Sequence, residues 1–456
     1  MSRVTQPQSF ENELTPMISA FFGKFRVGSL LRSSGAYKQS GIPALTVFQR
    51  LFTLVFSGRT LYMYLKGMSS DIGKDTFYRF INSFRINWFR FTTMLSATII
   101  NGLILGATGE KRVNVFIVDD TIYTRERSKN VELLSWVRDH AKKISTRGFR
   151  LLTLGWSDGN SFFPINGCLL ASTAKRCNEK EYAVDKRSCG YKQRVRALTK
   201  APDVMLQMLC QAMKSGIKAT YVLFDSWFSS PKTIMAITDE NLDVIAMLKK
   251  TSKTHYRYEE QMLPVMEIYK RNRKRRGRSK YLLSVGIELN NQDAFKSVPA
   301  KLVFVRNKHK KKDYLVIIST DTSLTEEEII RIYGKRWNIE VFFKVCKTYL
   351  QLTGECRSLS YDAMTAFVAI VFARYMMLST ENRIQIDART MGELFYEACD
   401  ELPDITWIES FRILMVHLVE MVLGISFLTE EGLKSRLEEF MSTLPKTLIS
   451  KMKKCA

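Results

Sequence analysis

The sequence predicts an α/β protein in which a mixed sheet carries packed helices and lies between two helical regions. Three observations carry this. Short β-branched apolar runs alternate with helical periodicity from about Val113 to Leu248. The first 110 or so residues repeat apolar positions at helical spacing, and the stretch from Tyr361 onward has the same texture. Strand, hairpin strands, helix, strand, helix and strand follow one another, an order that gives a mixed rather than a purely antiparallel sheet.

The N-terminal part, 1–110, reads as helices through Leu45, Phe48, Leu51, Phe52 and Val55, and again through Phe77, Phe80, Ile81 and Phe84. Asp75 is the expected N-cap of the second group. Its other face offers Thr76, Arg79, Asn82 and Arg85, which suit either a DNA-reading helix or the solvated side of a small bundle. Val113–Val118 is a buried strand that ends in Asp119-Asp120, and a charged helical stretch follows. Phe149–Trp156 and Ser161–Leu170 form a hairpin around Asp158-Gly159. A basic segment leads to a helix near Pro202–Lys214. Thr220–Asp225 is the next strand, Ser230-Pro231 opens a helix, and Asp243–Leu248 is another strand. Beyond the basic block, strand-like runs lie at Tyr281–Leu289, Lys301–Arg306 and Tyr314–Thr320. Ser323-Leu-Thr-Glu326 has a capping-box pattern that opens the next helices.

Composition narrows the function. The 456 residues suffice for two to four units, and 46% hydrophobic content marks a globular chain. The longest apolar candidate, Ala363–Leu378, is interrupted by Arg374 and too short to cross a bilayer, so no membrane partner is expected. Phe10–Phe25 carries Glu11, Glu13 and Lys24, unlike a signal peptide. Eight cysteines without a CxxC pair and only four histidines argue against zinc and for reduced thiols in the cytoplasm. The net charge of +24 favours a polyanionic partner. Residues 249–312 hold 19 Lys and Arg against 5 Asp and Glu, densest in Lys270–Lys280, which includes Arg273, Arg275 and Arg276. That run fits a solvated loop, a targeting signal or a contact to DNA phosphates.

The chemistry concentrates in carboxylates. Asp119-Asp120 and Asp225 each follow a buried strand, the place where ligands gather in open α/β sheets. Asp225 has no capping duty once Ser230 caps the next helix, whereas one of Asp119 and Asp120 fits a turn residue equally well. Strand alternation puts those two on opposite faces, both among apolar neighbours, so periodicity does not choose between them. Read as one helix, Tyr333, Arg336, Glu340 and Lys347 fall within an arc of roughly 60°. This strip is either a solvated face with an i,i+4 pair or the wall of a phosphodiester site. Three converging carboxylates suit Mg²⁺, and two such ions suit phosphoryl transfer. Arg336 and Lys347, with Tyr333, would then hold phosphates.

The spacing Tyr333-x2-Arg336-x3-Glu340-x6-Lys347 resembles the Y-R-E-K branch of the DDE transposases of bacterial insertion sequences. Asp120-Thr121 resembles the family's first acid, and Asp225 in Phe-Asp-Ser-Trp-Phe its second. The resemblance implies a ribonuclease-H-like mixed-sheet core interrupted by a β-rich insertion domain, with helical N- and C-terminal regions. Its divisions would be a DNA-binding region at 1–110, core at 111–249 and 321–385, insertion at 250–320 and a helical region at 386–456. It also implies catalytic and metal-binding roles for Asp120, Asp225 and Glu340, with two Mg²⁺ ions that Mn²⁺ replaces. The expected partners are double-stranded DNA, as terminal inverted repeats and target, and a second copy in a homodimeric synaptic complex. The setting would be the nucleoid of a bacterial cytoplasm. A structure-specific endonuclease on the same fold and a non-catalytic DNA-binding derivative are the alternatives. Some members of that family stack a flipped base on a tryptophan of the insertion domain; here no tryptophan lies between Trp227 and Trp337, and Tyr256, Tyr258, Tyr269 and His255 are the residues that would substitute for it.

Overall fold

The computed structural model describes residues 16–67, 72–109, 112–139, 143–275, 279–291, 296–307, 313–354 and 356–384. Its helices at the N-terminal end are α1 (Pro16–Lys24), α2 (Val27–Ser33), α3 (Ala44–Thr53), α4 (Leu61–Gly67), α5 (Lys74–Ile81) and α6 (Trp88–Ile99). Phe48, Leu51, Phe52, Phe77, Phe80 and Ile81 are buried as their spacing predicts, but Phe84 is 39% exposed. Gly73, not Asp75, occupies the N-cap of α5, and Asp75 stands in the first turn. There its negative charge still favours the positive end of the helix dipole.

Strand β1 (Val115–Thr124) runs through Asp119-Asp120 instead of ending there. The apolar run stops at Val118, but pairing with β3 continues to Thr124 opposite Gly148. The expected charged helix after β1 is absent among the described residues. Strand β2 (Ser135–Asp139) takes its place on the edge of β3 (Ile144–Ser157). β4 (Phe162–Leu170) completes the hairpin around Asp158-Gly159, with Gly159 at a φ of +98° that glycine adopts without strain. α7 (Cys189–Ala197), in the basic segment, is a helix that the sequence reading did not place. α8 (Ala201–Lys214), β5 (Tyr221–Phe224), α9 (Pro231–Thr238) and β6 (Asp243–Met247) follow as expected. The Ser230 hydroxyl caps α9 by accepting from the Thr233 N–H.

Residues beyond β6 extend this sheet. β7 (His255–Tyr258), β8 (Gln261–Pro264), β9 (Tyr281–Asn291), β10 (Lys296–Arg306) and β11 (Tyr314–Ser319) give the order β2-β3-β1-β5-β6-β11-β10-β9-β7-β8, with β4 also paired to β3. β1 is antiparallel to β3 and parallel to β5, and β5 is parallel to β6, so the sheet is mixed. The β7–β8 hairpin escapes a sequence reading because Glu259 and Glu260, not Asn-Gly, take the positive φ values of its turn. The short helix α10 (Val265–Arg271) follows it. α11 (Glu326–Gly334) opens with a capping box two residues later than expected, between Thr325 and Glu328. α12 (Trp337–Thr348) and α13 (Tyr361–Ile384) complete the described chain; the expected helical region at 386–456 lies outside it.

α6 with its helical continuation to Ala107, and α13, are long and apolar enough to cross a membrane by length and composition. The expectation of no such run therefore needs correction. α13 is nonetheless a core helix, buried along nearly its whole length against β4 and α6. Its Arg374 guanidinium is fully buried and donates to the Leu51 and Phe52 carbonyls near the end of α3. The six described cysteines are all free thiols.

A buried ionic triad fastens α7 to α13 and to the loop before β2. Arg194 donates to both Glu132 oxygens at 2.7 and 2.9 Å and to both Asp362 oxygens at 3.0 and 2.7 Å. Removing the guanidinium leaves two buried carboxylates without their cation. We predict that Arg194→Leu lowers stability by about 3–5 kcal/mol in urea denaturation; a loss below about 1 kcal/mol, as for a surface pair, would contradict this.

Candidate active site

The register of β1 and β5 determines which acids meet. Val115 pairs with Tyr221, Phe116 with Val222 and Ile117 with Leu223, in parallel. Two residues further along each chain, Asp119 comes level with Asp225. Side chains two apart share a strand face, so Asp119 and Thr121 point one way and Asp120 the other. The contacts agree. The Arg336 guanidinium donates to Asp119 Oδ2 at 3.0 Å and bonds Glu340 as well. Lys347 bonds the Thr121 hydroxyl.

Asp120, favoured from the sequence as first acid and metal ligand, is not brought to this cluster. Both its oxygens accept from Arg150 at 2.9 Å on the opposite face. Arg150 in turn lies 5.7 Å from the Trp227 ring, and that indole is 58% exposed. The sequence signal that separates the two acids is the parallel pairing of two short buried strands, which needs the register and not just the strand positions.

Asp225 also has a structural duty that the sequence reading denied it. Its Oδ1 accepts from the Trp227 N–H at 2.9 Å, forming a tight turn after β5. The carboxyl of Asp119 is pushed up to about 7, chiefly by burial; Arg336 opposes this, and neighbouring Asp225 adds to it. Burial, which withdraws water from the carboxylate, thus outweighs the guanidinium beside it. The Tyr333 hydroxyl is buried beside the Arg336 guanidinium and is pushed up to about 12, chiefly by burial; Arg336 opposes this, and Asp225 and Asp119 add to it.

The expected single helix through Tyr333 and Lys347 is broken. α11 ends at Gly334, and Lys335-Arg336 form a tight turn before α12, with the Arg336 N–H bonded to the Tyr333 carbonyl at 3.0 Å. Both residues keep right-handed helical dihedrals, so the four side chains still face β1. Lys335, which sequence reading missed, pins this turn. Its ammonium donates to the carbonyls of Val113 and, at 3.2 Å, Asp158. Asn338 adds a 2.9 Å bond to the Ser157 hydroxyl. Burial lowers the Lys335 ammonium below its ordinary range although Asp158 opposes this.

The cations of the basic block belong elsewhere, on the sheet's extension. Lys270, Arg273 and Arg275 are exposed. Lys270 lies 3.7 Å from Glu267, and Arg275 rests on the Tyr281 ring at 4.4 Å. Arg276 lies outside the described residues. Of the aromatic candidates, Tyr256 is buried, and Tyr269 stacks on Tyr314 at 3.9 Å with Lys274 over its ring. Tyr258 is half-buried and donates to Asn272, while His255 is exposed.

Among the described residues, no three His, Cys, Asp or Glu side chains form a ready metal cage. Arg336, bonded to both Asp119 and Glu340, accounts for this, since its guanidinium supplies the positive charge between them. The donor chemistry still fits a hard divalent cation, since the cluster offers carboxylate oxygens. The family model for the DDE superfamily endonucleases matches residues 52–299, a span that includes Asp119, Asp120 and Asp225 but ends before Glu340. No curated protein matches the chain.

Lys335→Met should leave two carbonyl groups without their donor. It is expected to lower stability by about 1–3 kcal/mol and to reduce nuclease activity more than Lys344→Met, a change on the outer face of α12. Equal activity of the two variants would show that the pin does not position Arg336 and Glu340.

Proposed function

We propose that this chain, which belongs to the DDE superfamily endonucleases, is the transposase of a bacterial insertion sequence in the Y-R-E-K branch. A DDE endonuclease cleaves DNA. Our reading adds that the DNA is a terminal inverted repeat and that cleavage is followed by joining of the freed 3′ hydroxyl to target DNA. The observation that carries it is the meeting of Asp119, Asp225 and Glu340 around Arg336 and Tyr333, with Lys347 one step further along β1. Nucleases that only hydrolyse need the acids; a row of phosphate-holding groups beside them suits holding a DNA end for a second step.

In this reading Asp119, Asp225 and Glu340 hold two Mg²⁺ ions, for which Mn²⁺ substitutes. When bound, the ions activate the attacking oxygen and stabilise the leaving one. Arg336 must leave at least one carboxylate for the site to fill, and its paired N–H donors then turn to a phosphate. The Tyr333 hydroxyl, buried beside Arg336, donates to a phosphate oxygen. Lys347 holds the next phosphate as a point charge. The exposed cations Lys270, Arg273 and Arg275, with Arg276, contact DNA phosphates away from the acids. The protein would act as a homodimer on two paired ends in the bacterial cytoplasm.

Ala substitution of Asp119, Asp225 or Glu340 is expected to cut cleavage by on the order of a thousandfold, while DNA affinity stays near wild type. Asp120→Ala should retain most of the activity, at the level of Arg150→Ala. The assay incubates the protein with a terminal-repeat duplex and a plasmid target in Mg²⁺ and follows both nicked ends and joined products. Cleavage without joining would assign a structure-specific endonuclease. Loss of cleavage in Asp120→Ala with retention in Asp119→Ala would reverse the assignment of the first acid.

A further inference from the structure

Where the N-terminal helices meet the core, α6 and α8 border an open groove of about 1080 Å³ that no part of the carboxylate cluster reaches. Its charged lining residues are Arg90, Arg196 and Lys214, and none of its lining residues is a carboxylate. Among the described residues these three cations make no ion pair. Arg90 instead reaches the Met94 sulfur at 3.3 Å. Arg196 lies over the Phe89 ring at 4.2 Å and donates to Gln207 at 3.3 Å, so its guanidinium is held in place and still open to an anion. Asn101 bridges the two sides by donating to the Gly216 carbonyl at 3.3 Å.

Three cations around the groove, against the one carboxylate of Glu240 beside Cys210 on its wall, raise the local potential for a polyanion, and amide side chains among them add hydrogen-bond donors. α6 alone is about 18 Å long, enough to follow several phosphates of one strand. We propose that this groove binds the sugar–phosphate backbone of duplex DNA, across the seam between the N-terminal helices and the core. This inference rests on the DNA-processing reading of the protein and adds a second contact surface to it. DNA held here is gripped by both parts of the chain at once, which fixes their relation while the acids work elsewhere. The contact reads no bases; its effect is on affinity and on the placing of the duplex.

The test is a salt titration of full-length protein binding to a terminal-repeat duplex and to a random duplex of equal length. Each phosphate neutralised contributes roughly 0.9 to the slope of log affinity against log salt. R90Q/R196Q/K214Q should therefore flatten the slope by up to roughly 2.7 on both duplexes alike. Thr98→Glu is a second variant, which sets one negative charge on an exposed lining position of α6 without removing a packed side chain. It should weaken binding to both duplexes at low salt and lose that effect at high salt. Asp225→Asn, in the proposed catalytic cluster, should leave the slope near wild type. A wild-type slope in the triple variant together with unchanged binding by Thr98→Glu would overturn the groove proposal and leave the catalytic reading standing. Loss of self-association in the triple variant, with DNA binding intact, would assign the groove to a second copy and overturn the proposal. Absence of DNA binding by the wild type would overturn both readings.

Discussion

The parallel pairing of β1 with β5 is the constraint on which the site depends. Three register pairs, Val115 with Tyr221 to Ile117 with Leu223, carry Asp119 level with Asp225 two residues on. A slip of one residue would turn every side chain of β1 to the other face and bring Asp120 inward instead. The close packing of Val115, Phe116, Ile117 and Val118, all fully buried, opposes such a slip, since it would exchange side chains of different size between two packed faces. The core therefore selects the acid, and the chemistry inherits that choice.

The second half of the site reaches β1 through packing at the turn between β3 and β4. Buried Asp158 accepts there from Thr108, Arg112 and Arg383 and from the N–H groups of Asn160 and Ser161. Burial acts to raise its carboxyl, but these partners hold it below the ordinary range. Its own carbonyl receives Lys335, and through Lys335 the break between α11 and α12 is set against the sheet. One hub thus ties the end of the N-terminal helices, α13 and the helix that carries Glu340. Arg336 completes the cluster as an internal cation, paired with both Asp119 and Glu340. The chain's +24 excess favours approach of a polyanion to the protein as a whole.

Much of the fold was legible because buried strands and capped helices announce themselves locally. Val115–Val118, Tyr221–Phe224, the Asp158-Gly159 turn and the Ser230 cap each follow from a few adjacent residues. What stayed hidden depends on partners distant in sequence. β1 continues past its apolar run because β3 lies beside it, and the Glu259-Glu260 turn is held by the strands it joins. Of the site, Asp225, Glu340, Arg336, Tyr333 and Lys347 were found by type and spacing, and the structure brings them to one face. The family pattern favours Asp120 over Asp119 as first acid, and alternation offers no correction, since it names two faces without saying which one α12 covers. Lys335 looked like one more cation among sixty-nine Lys and Arg residues, and only the carbonyls that it meets distinguish it.

The central claim is that β1 presents Asp119, and not Asp120, to the metal-binding site beside Asp225. The most direct measurement is anomalous diffraction from crystals soaked in Mn²⁺, compared between wild type and Arg336→Gln. The account predicts manganese in contact with the carboxylates of Asp119 and Asp225 while Asp120 remains paired with Arg150, with higher occupancy in the variant because the internal cation is gone. Manganese bound to Asp120, with Asp119 still held by Arg336, would contradict it.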